Sequence, residues 1–305
     1  MSIDEILFSG TEPIVVGSGY GFTEGPTADE QGNVYFSDGR NDSIYYYVPG
    51  RPPVCFVNDS TDANGMMLNT RGELYVCEGA AYRVVAIDVR TKEKRILCSQ
   101  IDGQHFNEPN DLAIDFHDGF YFSDPNYQHR GQPTVMKQDV YYCSAAGQVS
   151  RVSTVCFKPN GVLLSADDRT LYVGDARGQR IFRYDVLGPG QLANERLWID
   201  RLGANPDGLT LDEHDNLYVC CGKAGIKVFD KQGQPLGTID VFAANCCFGG
   251  RDFSTLMVAS ADRFLAIPTK VTGLKPLPLR AKAQAEPGRP RLSDSAQRQH
   301  TREWW

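Results

Sequence analysis

Five residues with side-chain oxygen atoms recur at one position of a repeated sequence pattern. Each of them stands five residues before the first residue of a polar turn. They are Glu24, Asn64, Asn110, Asn160 and Asp207. Carboxylate and amide oxygens are the ligands that hard divalent cations prefer. The sixth copy has Cys246 there, and we expect this thiol to pack in the core because sulfur is a poor ligand for a hard cation.

Short strand-like runs follow the six turns. They centre on Tyr35, Tyr75, Tyr121, Tyr172, Tyr218 and Met257. Successive centres are 39 to 51 residues apart, which is the length of a four-stranded propeller blade. We therefore predict an all-β, six-bladed β-propeller over residues 1–273. Residues 3–16 are expected to complete the sixth blade.

The propeller explains how these residues could form one site. The first strand of each blade lines the central channel, so residues at the start of these strands converge at one channel mouth. Asn-Gly and Asp-Gly are also common turn dipeptides, but the shared register across blades favours a site. We expect Glu24, Asn160 and Asp207 to bind a cation, whereas Asn64 and Asn110 could contact either cation or substrate. The sequence has no Cys/His cluster with the spacing of a zinc site.

Several strings resemble one known family. They are Glu24-Gly-Pro-Thr, Pro109-Asn-Asp-Leu, Phe122-Ser-Asp-Pro125, Lys158-Pro-Asn-Gly161, Pro206-Asp-Gly208 and Cys247-Phe-Gly-Gly250. In combination they resemble the gluconolactonase / senescence-marker-protein / luciferin-regenerating-enzyme family, and most closely its bacterial gluconolactonases. The resemblance covers about residues 10–272.

The resemblance implies a six-bladed propeller that hydrolyses a sugar lactone or a related lactone with one divalent cation. Calcium is the expected ion, with magnesium, manganese or zinc as alternatives. Glu24, Asn160 and Asp207 match the metal ligands of the family, and Asn110 matches an asparagine that contacts metal or substrate. Glu108 stands where some members carry a substrate-binding arginine, so that contact does not carry over to this chain.

The residue types suggest how such a site would work. A cation can stabilise the negative charge that develops on a lactone carbonyl oxygen, and a neighbouring carboxylate can accept a proton from water. Asp207 is our candidate general base, with Glu24 mainly holding the ion. Direct nucleophilic attack by Asp207 is an alternative. There are two competing functions: a phosphotriesterase that uses the same cation, and a non-catalytic propeller that is stabilised by metal.

A long connection in the third blade, residues 125–139, is expected on the same face as the cation site. Long loops in compact domains often contact ligands. Tyr127, His129 and Arg130 could bind sugar hydroxyls together with Asn64 and Asn110, although a solvated loop is equally consistent with the sequence.

Charged residues also end second strands on this face. They are Asp38, Arg40, Asp175 and Arg177. For Asp175 and Arg177, we expect either a mutual surface ion pair or a contact with substrate.

Bulk properties limit the possible partners. The net charge is −7, and residues 275–305 contribute seven basic and three acidic residues, so the rest of the chain carries −11. An acidic body suits a bound cation and argues against nucleic acid as a partner. No apolar run approaches membrane-spanning length. We expect a small lactone as the partner and no association with a membrane. The sequence does not predict the oligomeric state.

The cysteines and the chain ends complete the predictions. Nine cysteines without a C-x-x-C pair argue against a disulfide scaffold. We see no signal peptide at the N-terminus and expect a cytoplasmic protein. Residues 274–305 are rich in Pro and Arg, and we expect a flexible tail, or one docked through Trp304 and Trp305.

Overall fold

The chain folds as a ring of four-stranded antiparallel sheets around a central channel. The structure is a computed structural model that describes residues 1–127 and 137–285. The first strands in chain order are β1 (Ile14–Ser18), β2 (Thr23–Ala28), β3 (Val34–Asp38), β4 (Ser43–Tyr47), β5 (Val54–Val57), β6 (Ala63–Leu68), β7 (Leu74–Glu78), β8 (Arg83–Ile87), β9 (Lys94–Cys98), β10 (Gln100–Ile101), β11 (Gln104–His105), β12 (Leu112–Ile114) and β13 (Phe120–Ser123). They are followed by β14 (Val140–Cys143), β15 (Val149–Ser153), β16 (Pro159–Leu164), β17 (Thr170–Asp175), β18 (Arg180–Gly188), β19 (Gln191–Ile199), β20 (Leu209–Leu211), β21 (Leu217–Cys220), β22 (Ile226–Phe229), β23 (Pro235–Ile239), β24 (Asn245–Gly249), β25 (Thr255–Ser260) and β26 (Arg263–Pro268).

These strands form six blades, which confirms the predicted all-β propeller. Blades 1 to 5 are the meanders β2-β3-β4-β5, β6-β7-β8-β9, β12-β13-β14-β15, β16-β17-β18-β19 and β20-β21-β22-β23. Blade 6 has the order β1-β26-β25-β24, with Ile14 opposite Ala266. The N-terminal strand therefore closes the ring, as predicted. The short hairpin β10-β11 lies between blades 2 and 3.

In blades 1, 2, 3 and 5, the polar turns that join first to second strands share one hydrogen-bonding pattern. In blade 1, Asp29 Oδ1 accepts hydrogen bonds from the backbone N–H groups of Gln31 and Asn33, both at 2.9 Å. The fourth turn residue has positive φ, for example +80° at Gly32 and +60° at Asp118. A short side chain with an acceptor oxygen is thus needed at the first turn position, which explains why Asp and Asn recur there. The equivalent bonds are made by Asn69, Asp115 and Asp212.

The apolar core fills the space between neighbouring blades. The six strand centres that define the repeat are at most 7% exposed: Tyr35, Tyr75, Tyr121, Tyr172, Tyr218 and Met257. Successive residues of a second strand point to opposite faces of the blade, so Tyr35 packs against blade 2 and Phe36 against blade 6. All nine cysteines belong to the described part of the chain, and all are free thiols.

The far end of the channel, opposite the starts of the first strands, is covered by the chain after blade 6. Helix α2 (Leu277–Ala285) begins there, and the Leu277 side chain is only 1% exposed. Leu277 and the residues before it close a small cavity of about 120 Å³ that is lined by the ends of the first strands. A leucine buried at this point excludes water from the channel end and stabilises the docked segment.

A buried arginine also anchors α2. Arg280 Nη1 donates a 2.8 Å hydrogen bond to the Ala166 carbonyl, and its guanidinium lies 5.1 Å from the centre of the Phe116 ring. Within the predicted tail, residues 277–285 form this helix, which contacts the blades through Leu277 and Arg280. Trp304 and Trp305 lie outside the described residues.

The remaining helix, α1 (Ile3–Ile6), is a single turn that buries Ile6 against blades 5 and 6. Within residues 1–127 and 137–285, no helix combines the length and apolar character required to cross a bilayer.

Candidate metal centre

A cavity of about 830 Å³ opens on the propeller axis at the end where the first strands begin. Its volume is that of a small-molecule site. The structure brings together in its lining all the predicted site residues that it describes: Glu24, Asn64, Asn110, Tyr127, Asn160 and Asp207. They come from blades 1 to 5 and so from distant parts of the chain. His129 and Arg130 lie outside the described residues.

Buried aspartates at the ends of second strands position the backbone that leads into the site. Asp38 accepts a hydrogen bond from the backbone N–H of Phe22 (3.0 Å), two residues before Glu24. Asp175 accepts one from the N–H of Lys158 (2.9 Å), two residues before Asn160. Both carboxylates are fully buried. These aspartates therefore fix where the first strands enter the cavity wall.

The glycines after the site residues allow adjacent first strands to approach each other closely. Gly25 has φ +44°, and a Cβ there would lie 1.9 Å from the Asn64 carbonyl oxygen. A Cβ on Gly161 would lie 2.2 Å from the Asp207 carbonyl oxygen. Gly25 belongs to β2 and Gly161 to β16, so these strings mark close inter-blade packing rather than tight turns.

Two carboxylates dominate the electrostatics of the cavity. Burial raises the pKa of Glu24 well above its usual range, and the charge of Asp207 adds to this effect. The Gly25 N–H, 3.0 Å from Glu24 Oε2, acts in the opposite direction. Burial also raises the pKa of Asp207, with a hydrogen bond from the Asn160 side chain opposing it and the charge of Asp111 adding to it. The carboxylates are close enough for each to disfavour ionisation of the other.

The Asn160 side chain is oriented by a tyrosine. Its Nδ2 donates a 2.8 Å hydrogen bond to the Tyr127 hydroxyl. Because the amide nitrogen is engaged in this way, Oδ1 is the atom that remains to bind a cation. Burial raises the pKa of Tyr127, with the charge of Asp207 as the second cause, so the phenol stays protonated.

Asp111 is a buried carboxylate beside the site that sequence analysis did not select. Its Oδ1 accepts the N–H of Leu112 (2.9 Å), and its Oδ2 accepts the N–H of Val162 (3.3 Å). Burial raises its pKa to about 7. Asp111 follows Asn110 at the position that glycine occupies in blades 1, 2, 4 and 5. This departure from the glycine pattern is the sequence signal that could have identified Asp111 as part of the site.

In blade 6, Asn245 rather than Cys246 lies beside Glu24. The Asn245 side chain packs on Gly208, where a Cβ would lie 2.0 Å from the amide carbon, and it lowers the pKa of Glu24. Cys246 is buried, as predicted, with its Sγ 3.3 Å from Cys220 Sγ. The Asn245 amide therefore lies next to Glu24 on the inner side of the site, where it lines the small cavity closed by Leu277.

Basic side chains line the outer part of the same cavity. The Lys158 Nζ lies 4.0 Å from the centre of the Tyr127 ring. Arg177 follows the end of β17 in the same blade and also lines the cavity. On the opposite side, in blade 1, the Arg40 guanidinium lies 5.3 Å from the centre of the Phe22 ring. The cavity thus has an acidic floor and basic groups near its rim.

The alternative of an ion pair between Asp175 and Arg177 is wrong. Asp175 Oδ2 accepts a hydrogen bond from Arg180 Nε at 3.1 Å instead. Burial lowers the pKa of Lys158, and the charge of Arg177 contributes to the lowering while Glu108 opposes it. Arg177 is therefore near Lys158, and the two positive charges repel each other.

The donor set fits a hard divalent cation. Within the described ranges neither Glu24 nor Asp207 forms an ion pair with a basic side chain. Glu24 is buried and Asp207 half-buried. Their negative charges repel each other without a cationic partner, and a cation between them would remove this repulsion. In the part of the chain that the structure describes, no group of three or more His, Cys, Asp and Glu side chains is arranged for metal binding, so the set depends on amide oxygens.

The fold and this cavity define a six-bladed propeller with an axial pocket of carboxylates and amides. Residues 22–262 match the family described as the SMP-30/Gluconolactonase/LRE-like region, and the chain belongs to that family. The family resemblance seen in the sequence is thereby confirmed.

Individual relatives are distant. The chain is 26% identical to a gluconolactonase of Zymomonas mobilis, over 89% of this chain and 85% of that protein. It is 28% identical to lactonase drp35 of Staphylococcus saprophyticus, over 71% of this chain and 68% of that protein.

Solved structures share the fold. A gluconolactonase from Xanthomonas campestris superposes with a TM-score of 0.80 at 23% identity, covering 88% of this chain and 92% of that one. A calcium-binding regucalcin from Agrobacterium tumefaciens gives 0.73 at 17% identity, covering 88% and 97%.

Proposed function

We propose that this protein is a divalent-cation-dependent hydrolase that opens sugar lactones. The observation that carries the proposal is the axial cavity, in which the buried carboxylate of Glu24 and the half-buried carboxylate of Asp207 meet the amides of Asn160 and Asn110. The lactonase names of its relatives in Zymomonas and Staphylococcus support the reaction. The calcium-binding title of the Agrobacterium structure supports calcium as the cation.

Glu24, Asn160, Asp207 and Asn110 would hold the cation. When bound, it would polarise the lactone carbonyl and make water a better nucleophile. Asp207 accepts the proton of the attacking water, because it lines the cavity and its pKa is raised. Glu24 mainly provides charge, and Asn64 and Tyr127 bind substrate hydroxyls. Nine free thiols are consistent with a reducing, cytoplasmic location.

Metal removal and reconstitution test the proposal. The protein is treated with chelator, and aldonolactones and a phosphotriester are then assayed with calcium, magnesium, manganese and zinc added back singly. We expect lactone turnover that returns with one or more of these cations. Asp207→Asn should lower kcat by roughly 10²- to 10⁴-fold, whereas Asp240→Asn, an exposed carboxylate outside the cavity, should leave it unchanged.

Other outcomes of this assay contradict the proposal in distinct ways. Turnover of the phosphotriester alone indicates a phosphotriesterase. Tight cation binding without turnover of either class indicates a non-catalytic propeller.

An oxygen-isotope experiment separates the two roles open to Asp207. In a single turnover in H₂¹⁸O, a general base leads to label in the product carboxylate and none in the protein. Label in a peptide containing Asp207 instead indicates that its carboxylate attacked the lactone and was regenerated by water.

A further inference from the structure

We propose that the lactone taken by this cavity carries an anionic group, a carboxylate or a phosphate, which binds between Lys158 and Arg177. This inference rests on the proposed lactonase function and specifies its substrate class.

The backbone of blade 4 holds the two basic residues side by side. The N–H of Ala176 donates a 2.8 Å hydrogen bond to the Lys158 carbonyl, so β16 and β17 remain paired up to the residue before Arg177. The N–H of Lys158 is in turn bound by Asp175 at 2.9 Å. The pair is therefore set by strand register and does not depend on a flexible loop.

The positive charges of this pair are not neutralised by an ion pair. Among residues 1–127 and 137–285, neither Lys158 nor Arg177 forms a salt bridge, and the nearest strand-end carboxylate, Asp175, is engaged by Arg180. Glu108 is close enough to offset part of the charge of Lys158, but its Oε2 also accepts the N–H of Tyr127 at 2.7 Å. Two like charges that face a cavity repel each other, and this repulsion is relieved by an anion bound between them.

The pair lies at a suitable distance from the candidate reaction centre. Lys158 Nζ lies over the ring of Tyr127, whose hydroxyl binds the Asn160 amide at 2.8 Å. The Tyr127 side chain thus contacts both the Lys158 ammonium group and Asn160, a proposed cation ligand. A small sugar acid could reach Lys158 with its terminal anionic group while its lactone carbonyl lies near Glu24 and Asp207.

Arg40 provides a comparison within the same cavity. It lies in blade 1, on the opposite side, and its guanidinium is stacked near the Phe22 ring without a second basic residue in the same turn. Its charge contributes to the general field of the cavity but does not form a paired site. Arg40→Gln is therefore a matched control for Lys158→Met and Arg177→Gln.

The experiment compares three substrates that differ at one end: a neutral aldonolactone, the aldarolactone with a terminal carboxylate, and the aldonolactone phosphorylated at its terminal hydroxyl. We expect kcat/KM for at least one acidic lactone to exceed that for the neutral one by about tenfold or more. Lys158→Met and Arg177→Gln should each remove this preference, measured in each variant as the ratio of kcat/KM for the acidic lactone to kcat/KM for the neutral lactone. Lys158→Arg should retain it, and Arg40→Gln should change it little. The carboxylate and phosphate arms show which anion the site takes.

The outcomes separate this inference from the proposed function. Neutral turnover without preference for either acidic lactone, or equal losses in Arg40→Gln and Arg177→Gln, overturns the paired anion site and leaves the lactonase intact. If no lactone is hydrolysed, the lactonase proposal fails, and calorimetric titration with an open-chain aldarate and a sugar phosphate then decides. The anion site is supported if the parent protein binds either compound and the Lys158→Met/Arg177→Gln double variant does not. It is overturned if the parent protein binds neither compound.

Discussion

Asp124 Oδ1 accepts a 2.9 Å hydrogen bond from the backbone N–H of Glu108, two residues before Asn110. The relationship repeats that of Asp38 with Phe22 in blade 1. In each case a buried carboxylate at or just after the end of a second strand holds the chain that enters the first strand of the same blade. The side chains proposed to contact the cation are therefore positioned by acidic residues that do not themselves line the cavity.

Removing one of these carboxylates should weaken cation binding. Asp38→Ala deprives the N–H groups of Gly21 and Phe22 of their acceptor and loosens the backbone before Glu24. We expect calcium affinity to fall by about 10- to 100-fold, as is usual when a residue that orients a ligand is lost. Calorimetric titration measures the change, with Asp240→Ala as the control. Unchanged affinity in Asp38→Ala would show that Glu24 is held by other contacts.

Asp124 should make stability depend on pH. Burial raises its pKa to about 8, although the N–H groups of Asn107 and Glu108 oppose the shift. A raised carboxyl pKa stabilises the fold fully below the ordinary value, near pH 4, and this contribution is lost as the pH rises towards 8. The stability of Asp124→Asn relative to the parent protein should therefore improve from pH 5 to pH 8. Urea unfolding at both pH values checks this, and a constant difference would contradict it.

Gly161 should not tolerate a side chain. Its added Cβ would lie 2.2 Å from the Asp207 carbonyl oxygen and 2.7 Å from Leu209 Cγ. Gly161→Ala should lower the free energy of unfolding by about 1 to 3 kcal/mol through overpacking, and should weaken cation binding by displacing Asp207. Gly188→Ala, where the nearest atom is 3.9 Å away, is the control. Equal stability of the two variants by thermal unfolding would refute close packing at the axis.

Leu277 should stabilise the fold without contributing to the site. Leu277→Ala removes a side chain that is 1% exposed at the far end of the channel. We expect a loss of about 2 to 4 kcal/mol in the free energy of unfolding and an unchanged cation affinity. Leu187→Ala, at a position 70% exposed, should cost little. If Leu277→Ala unfolds like the parent protein, the docked segment contributes nothing to stability.

The repeat was predictable because a local side-chain interaction marks most of its units. An Asp or Asn caps the first turn position in blades 1, 2, 3 and 5, and Ser165 does so in blade 4. In blade 6 the backbone bond that closes the turn runs from the Phe253 N–H to the Gly250 carbonyl, so the turn begins at a glycine that has no capping side chain. The sequence pattern therefore placed this turn one residue late and selected Cys246 instead of Asn245.

Two further features depend on tertiary contacts that have no sequence period. Asp111 breaks the glycine pattern in a single blade, and only the approach of Val162 from the next blade shows where its carboxylate lies. Helix α2 begins directly after Pro276, and it docks through Leu277 at the end of the channel and through Arg280. Spacing alone could predict neither.

The pairing of β1 with β26 has a consequence for folding during synthesis. Of the strands in the described residues, β1 is made first and its partner in the sheet order, β26, is made last. The ring therefore cannot close until β26 has been made, and β1 presents an unpaired edge throughout that interval. β1 is therefore the strand at which the nascent chain is most exposed to misassociation.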